Sequence, residues 1–125
     1  MKVYTISLMK AFYLPQEDEY IVIDPIGHIK QWYKVFTSKD GTRQEVLHRL
    51  DGPAKIEMDG SETWFKRGYF HRIGGPAVID AFDDTEEWWI MGIEINSYRK
   101  YQRLTKCSDE EILLLKLKWG AIKEL

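Results

Sequence analysis

The sequence predicts a mainly β domain with α structure at its C-terminus: a stack of antiparallel β-hairpin repeats capped by one or two helices. Three observations carry this reading. A seven-residue string occurs twice, as His48-Arg49-Leu50-Asp51-Gly52-Pro53-Ala54 and as His71-Arg72-Ile73-Gly74-Gly75-Pro76-Ala77, 23 residues apart. Each copy is followed by an acidic turn (Asp59-Gly60, Asp83-Asp84), a tryptophan (Trp64, Trp88) and a glycine (Gly68, Gly92), now 24 residues apart, so the second copy holds one extra residue, suited to a bulge or longer turn. Finally, Ser108 with Glu111 forms a capping-box signature ahead of a strongly apolar, helix-prone run. The chain accordingly divides into an N-terminal β segment with a degenerate repeat (1–46), two repeats (47–95) and a helical cap (96–125), all within one compact domain.

Within each repeat the residue types have local physical reasons. Asp59-Gly60 supplies the backbone freedom of a two-residue type I′ hairpin turn. Ala54, Ile56 and Met58 alternate with Lys55 and Glu57, and Ala77, Ile79 and Ala81 repeat that small apolar side, the pattern of a half-buried strand. The return strands, 63–66 and 87–91, are rich in aromatic and β-branched residues. Gly-Pro marks the crossover between hairpins, because proline can open a strand without donating to the ladder. Gly68 and Gly92 form the second turn of each unit.

Upstream, Asp24-Pro25-Ile26-Gly27 precedes Trp32-Tyr33 much as Asp59-Gly60 precedes Trp64-Phe65, and Lys39-Asp40-Gly41-Thr42 extends this degenerate copy by a further hairpin turn. Strands over 3–8 and 20–23, with a polar loop at 16–19, complete the sheet. At the other end a helix runs from Asp109 to about Lys123, with Gly120 weakening its last turn. The long helix is apolar most of the way round its wheel, so it needs cover on more than one side: the sheet on one, and either a preceding helix over about 97–104 or a second subunit on the other.

The 125 residues carry a formal charge of −2, which provides no footprint for duplex nucleic acid. A lone Cys107 and three histidines exclude an intrachain disulfide and a Cys/His metal cluster, and fit a reducing, cytoplasmic setting. No secretory leader is expected, since Lys2, Thr5, Ser7 and Lys10 interrupt the N-terminal apolar residues, and no run approaches a membrane span.

The His-Arg-x-Asp-Gly-Pro-Ala unit, followed by Asp-Gly, Trp and Gly, resembles a repeat of uncharacterised bacterial and tailed-phage proteins, and covers about two-fifths of the chain. Its rhythm is similar to that of MORN repeats, which are stacked β-hairpins, although the consensus residues differ. The second copy departs from the pattern in having Gly74 where the first has Asp51, and Asp84 where the first has Gly60. The closing 92–96 segment and helical tail also look like the end of such proteins. The resemblance implies a MORN-like stack and a phage or bacterial origin, which would place the protein in a bacterial host's cytoplasm, but it implies no chemistry.

The constellation that invites a functional reading is His48, Arg49, His71 and Arg72. Repetition could set two imidazoles and two guanidiniums in rows for an anion such as a nucleotide phosphate, with Trp64, Trp88 and Trp89 stacking its base. The plainer alternatives are that each His-Arg pair closes its own turn and that the tryptophans form core. Trp88 and Trp89, adjacent on a strand, must face opposite sides. Asp80, Asp83, Asp84, Glu86 and Glu87 read as a solvated turn, with no order of ligands that assigns a metal. No catalytic residue and no cofactor is assigned. The expected function is therefore a non-catalytic binding or scaffolding module with a protein partner. The alternatives are sequestration of a small anionic nucleotide, as in phage counter-defence, and an enzyme acting on one. The apolar helix and exposed hairpin edges also suit a homodimer.

Overall fold

A hairpin chain can stack upon itself only if each return strand changes partners partway along, and tryptophan marks that change three times. The computed structural model describes residues 2–5, 18–24, 26 and 28–122. Its strands are β1 (Lys2–Thr5), β2 (Glu19–Ile23), β3 (Lys30–Thr37), β4 (Arg43–Leu47), β5 (Lys55–Ile56), β6 (Glu62–Thr63), β7 (Phe65–Lys66), β8 (Tyr69–Phe70), β9 (Val78–Asp80), β10 (Thr85–Ile90) and β11 (Ile93–Ile95). Two helices follow, α1 (Tyr98–Thr105) and α2 (Asp109–Trp119). The protein is thus mainly antiparallel β, capped by C-terminal helices, the fold class the repeats and capping box predict.

The sheet runs β1-β2-β3-β5-β6-β9-β10-β11, with β4 beside β3 and β7-β8 as a separate pair. Up to Gln31, β3 pairs with β5; from Tyr33 on, it pairs with β4. At Trp32 between them, the N–H donates to Ala54 O (2.7 Å) and the carbonyl accepts from His48 N (3.0 Å). Trp64 divides β6 from β7 in the same way, donating to Ala77 O (2.6 Å) and accepting from His71 N (3.1 Å). In β10, residues up to Glu87 pair with β9, and those from Trp88 pair with β11. Neighbouring units are tied by matching bonds, Arg49 N to Phe65 O and Arg72 N to Trp89 O, then Gly68 N to Leu47 O and Gly92 N to Phe70 O.

The turns correct one expectation. Asp59-Gly60 is not a two-residue type I′ turn: Glu57 and Ser61 close a three-residue loop in which only Gly60 has positive φ (+90°), while Asp59 Oδ1 accepts Ser61 N–H at 2.8 Å. Met58 therefore stands exposed at the loop and not in the buried row with Ala54. The mirror-image turns lie at the opposite end of each unit, at Arg67-Gly68 (φ 53°, 84°) and Met91-Gly92 (45°, 79°). The extra residue of the second copy falls in the longer turn between Asp80 and Thr85, where Asp80 Oδ1 accepts two backbone N–H groups and Asp84 takes the positive φ that Gly60 takes in the first.

At the N-terminal end, β1 lies parallel to β2, and Tyr20, Val22 and Val35 form a buried cluster. Glu19 opens β2 instead of belonging to a loop, Asp18 precedes it in a bend, and residues 6–8 of the expected strand and 16–17 of the expected loop lie outside the described residues. The other cluster joins Trp88 and Ile95 to Tyr101 and Ile112 of the helices. Ser97 and Ser108 cap the helices by accepting N–H bonds from Lys100 and Glu111. Three acidic residues in the first turn of α2 favour the positive end of its dipole. That helix stops at Trp119, short of the expected Lys123, because Gly120 takes a positive φ of 76° that ends the spiral.

The cap docks through Gly74, whose N–H donates to Tyr101 Oη at 2.9 Å and whose carbonyl accepts Trp119 Nε1–H at 3.0 Å. Tyr101→Phe leaves that half-buried N–H without its acceptor. It is expected to lower unfolding free energy by about 1–2 kcal/mol in a urea titration followed by circular dichroism, with helical signal retained before the transition.

Candidate functional site

The histidine, arginine, second glycine, proline and alanine of the repeated string each have a structural task, and the two copies perform it with nearly the same geometry. His48 Nδ1 accepts the Arg67 N–H at 2.9 Å, and His71 Nδ1 accepts the Met91 N–H at 3.0 Å. Arg67 and Met91 are the first residues of the mirror-image turns, in a left-handed conformation that costs a side-chain-bearing residue on the order of 1 kcal/mol. The histidine bond offsets that cost by satisfying a backbone donor that the hairpin ladder does not use. Because Nδ1 accepts, the neutral ring carries its proton on Nε2. Burial, aided by Lys34 at His48 and by Lys66 at His71, holds both imidazoles below their ordinary value of 6.5.

The arginines reach the other way along the stack. The Arg49 guanidinium lies 4.1 Å from the centre of Trp32, and that of Arg72 lies 4.0 Å from the centre of Trp64, each covering the switch-point tryptophan of the preceding unit. Nη1 donates to the carbonyl of Pro53 or Pro76, at 3.1 Å in both copies. A Cβ on Gly52 or Gly75 would stand 2.6 or 2.8 Å from the arginine Cζ, so any side chain there displaces the stacked guanidinium. Ala54 and Ala77 are fully buried where the strands meet. The copies differ at one point. Asp51 pairs with Arg49 Nε at 3.0 Å, whereas Gly74 frees that space for Trp119, which lies 5.4 Å from the Arg72 guanidinium.

The candidate ligand residues are therefore not gathered round a shared opening. His48 and His71 go to turns, and Arg49 and Arg72 go to tryptophan faces and carbonyls. Trp64 lies under Arg72 with its Nε1 buried and without an acceptor among the described residues. Trp88 is buried in the terminal core, edge-on to Tyr98, Tyr101 and Trp119. Trp89 packs on Phe70 and donates from Nε1 to Glu87 Oε1. Among the candidate side chains the structure stacks Arg72 on Trp64, and it stacks Arg49 on the unforeseen Trp32. Two open clefts, of about 480 and 390 Å³, lie at the helical cap beside Tyr98 and Lys116, and neither is lined by the His-Arg residues. Among the described residues no group of three or more His, Cys, Asp or Glu side chains is placed to hold a metal ion. Cys107 is half-buried against the terminal core.

Sequence reasoning passed over the variable position of the string. Leu50 and Ile73 follow the two arginines and are 71% and 60% exposed, although both are large aliphatics. Met58 and Phe82, at the tips of the two hairpins, are also exposed. The signal was present as an apolar residue in both copies at a position with no packing role.

Two measurements test this assignment. Arg72→Ala and Gly75→Ala are each expected to cost about 1–3 kcal/mol of unfolding free energy, and Gly75→Ala is expected to cost much less in the Arg72→Ala background, because both remove the same stacked guanidinium. The histidines bear on pH: below 6.5 the unfolded chain takes up protons that the folded chain refuses, so their stabilisation is complete above 6.5 and lost as pH falls through the lower folded values. His71→Asn, whose Oδ1 stands where Nδ1 does and can still accept from Met91, is expected to flatten the fall in melting temperature between about pH 7 and pH 5.

No protein-family model, curated protein or solved structure matches this chain, so its function is argued from its own residues.

Proposed function

We propose that this protein is a non-catalytic binding module that engages a protein partner through the repeat face bearing Leu50 and Ile73. One observation carries the reading: the polar groups of the repeated string are consumed in holding the stack together, while its variable position presents an exposed aliphatic in both copies. An unpacked apolar residue repeated in register along a stack suits a broad, shallow contact with another protein better than the enclosed pocket of a small ligand. Phe82 and Met58, at the hairpin tips, are exposed as well.

A nucleotide phosphate would have to compete for guanidiniums already stacked on tryptophan and bonded to carbonyls, and for imidazoles that burial shifts towards the neutral form. That favours the protein-binding reading over sequestration. None of the helices among the described residues is long and apolar enough to cross a membrane. A cytoplasmic setting, bacterial or phage-encoded, completes the proposal, resting on the lone Cys107 and on the resemblance of the repeated string.

The test is affinity capture from the source cytoplasm, followed by native mass spectrometry. Wild-type protein is expected to retain a stoichiometric protein partner that the Leu50→Asp, Ile73→Asp double variant loses by at least about tenfold, the effect of roughly 1.4 kcal/mol or more of lost contact, while His71→Asn keeps it. A nucleotide-sized bound mass that disappears in Arg72→Ala would instead establish the sequestering alternative.

A further inference from the structure

The helix α2 buries one side and leaves the other apolar. Ile112, Leu115 and Trp119 pack towards the terminal core, whereas Leu113, Leu114 and Leu117 on the outward side are 57%, 58% and 75% exposed. At 100° per residue those three leucines and Glu110 share a single outward stripe. Glu111 and Lys118 lie together along one flank of this stripe, two turns apart, and both are exposed. Acidic residues fill the first turn of α2, and its basic residues, Lys116 and Lys118, lie in the last.

We propose that this face binds a second copy of the chain, with the two α2 helices antiparallel about a twofold axis near Leu114. Charge selects this occupant and this orientation. In an antiparallel pair, residues on the same flank of the two helices meet, so Glu111 faces the partner's Lys118 and Lys118 faces the partner's Glu111. The same register brings Leu114 against the partner's Leu114 and Leu113 against the partner's Leu117. A parallel pair would instead lay Glu110, on the stripe itself, against the partner's Glu110 and gather both acidic first turns at one end. The inward flank obeys the same symmetry, since Asp109 and Lys116 are likewise seven residues apart. An 11-residue helix is only about 16 Å long, which places the contact at the small end of specific interfaces and its dissociation constant in roughly the micromolar range. The surface is separate from Leu50 and Ile73, and the inference does not depend on the identity of any other partner.

The experiment is sedimentation velocity on the full chain over a concentration series from about 1 to about 300 μM, bracketing that range. Wild-type protein is expected to pass from monomer to dimer, and Leu117→Lys to stay monomeric throughout. Glu111→Lys alone and Lys118→Glu alone should each raise the dissociation constant about tenfold or more. The double exchange should recover most of that loss, because the twofold axis again opposes unlike charges; circular dichroism checks that the helix persists in each variant. As an independent readout, Leu114→Cys in a Cys107→Ser background should form a disulfide-linked dimer on mild oxidation. A wild-type monomer at every concentration would overturn the proposal. So would a dimer indifferent to Leu117→Lys and to both charge reversals, which would place self-association on another surface.

Discussion

The stacked guanidinium is the contact on which the architecture depends. Strands of two or three residues cannot bury enough apolar surface to hold themselves together, and β5 to β9 are all of that length. The arginine replaces a conventional core between units: its planar face covers the tryptophan at which the preceding return strand changes partner, and its Nη1 bonds the carbonyl that opens the next ascending strand. One side chain thus fixes both the spacing of the units and the path of the chain between them. Glycine one residue before proline follows from this, since the guanidinium occupies the space a Cβ would need.

A stack built this way needs an end. After Trp88 the position equivalent to His48 and His71 is Ile95, and the arginine position is Asn96, so no guanidinium follows to cover the last tryptophan. The two helices take over that role. Tyr98, Tyr101 and Trp119 surround Trp88 edge-on, and Tyr101 and Trp119 also take both backbone groups of Gly74. The substitution of Gly74 for Asp51 is thereby explained as the docking point of the cap, where the first copy keeps an ion pair to Arg49. Ile95 needs no hydrogen-bonding ring because no further turn lies beyond it, and it becomes part of the terminal core instead.

The bearing on function is that a repeated motif of polar, chemically capable residues can hold a stack together. His, Arg and Trp together resemble the parts of a ligand site, yet here the histidine Nδ1 atoms accept turn N–H groups and the guanidiniums lie on tryptophan faces, while Leu50, Ile73 and the outer leucines of α2 stand exposed. The binding role proposed for Leu50 and Ile73, and the twofold contact proposed for α2, both use residues the stack can spare.

Periodicity and local chemistry alone were enough to predict a mainly β hairpin domain, its helical C-terminus and the Ser108 cap, because these depend on residues close together in the chain. The turn types were not legible. Asp59-Gly60 has the composition of a type I′ turn but closes a three-residue loop, while Arg67-Gly68 and Met91-Gly92 adopt mirror-image turns with residues that rarely form them, since a histidine 19 or 20 positions earlier supplies the compensating bond. Whether His-Arg would bind a ligand or hold the stack was likewise undecidable from spacing. Guanidinium, indole and carbonyl meet only when one unit is laid against the next, and that juxtaposition is a property of the tertiary structure.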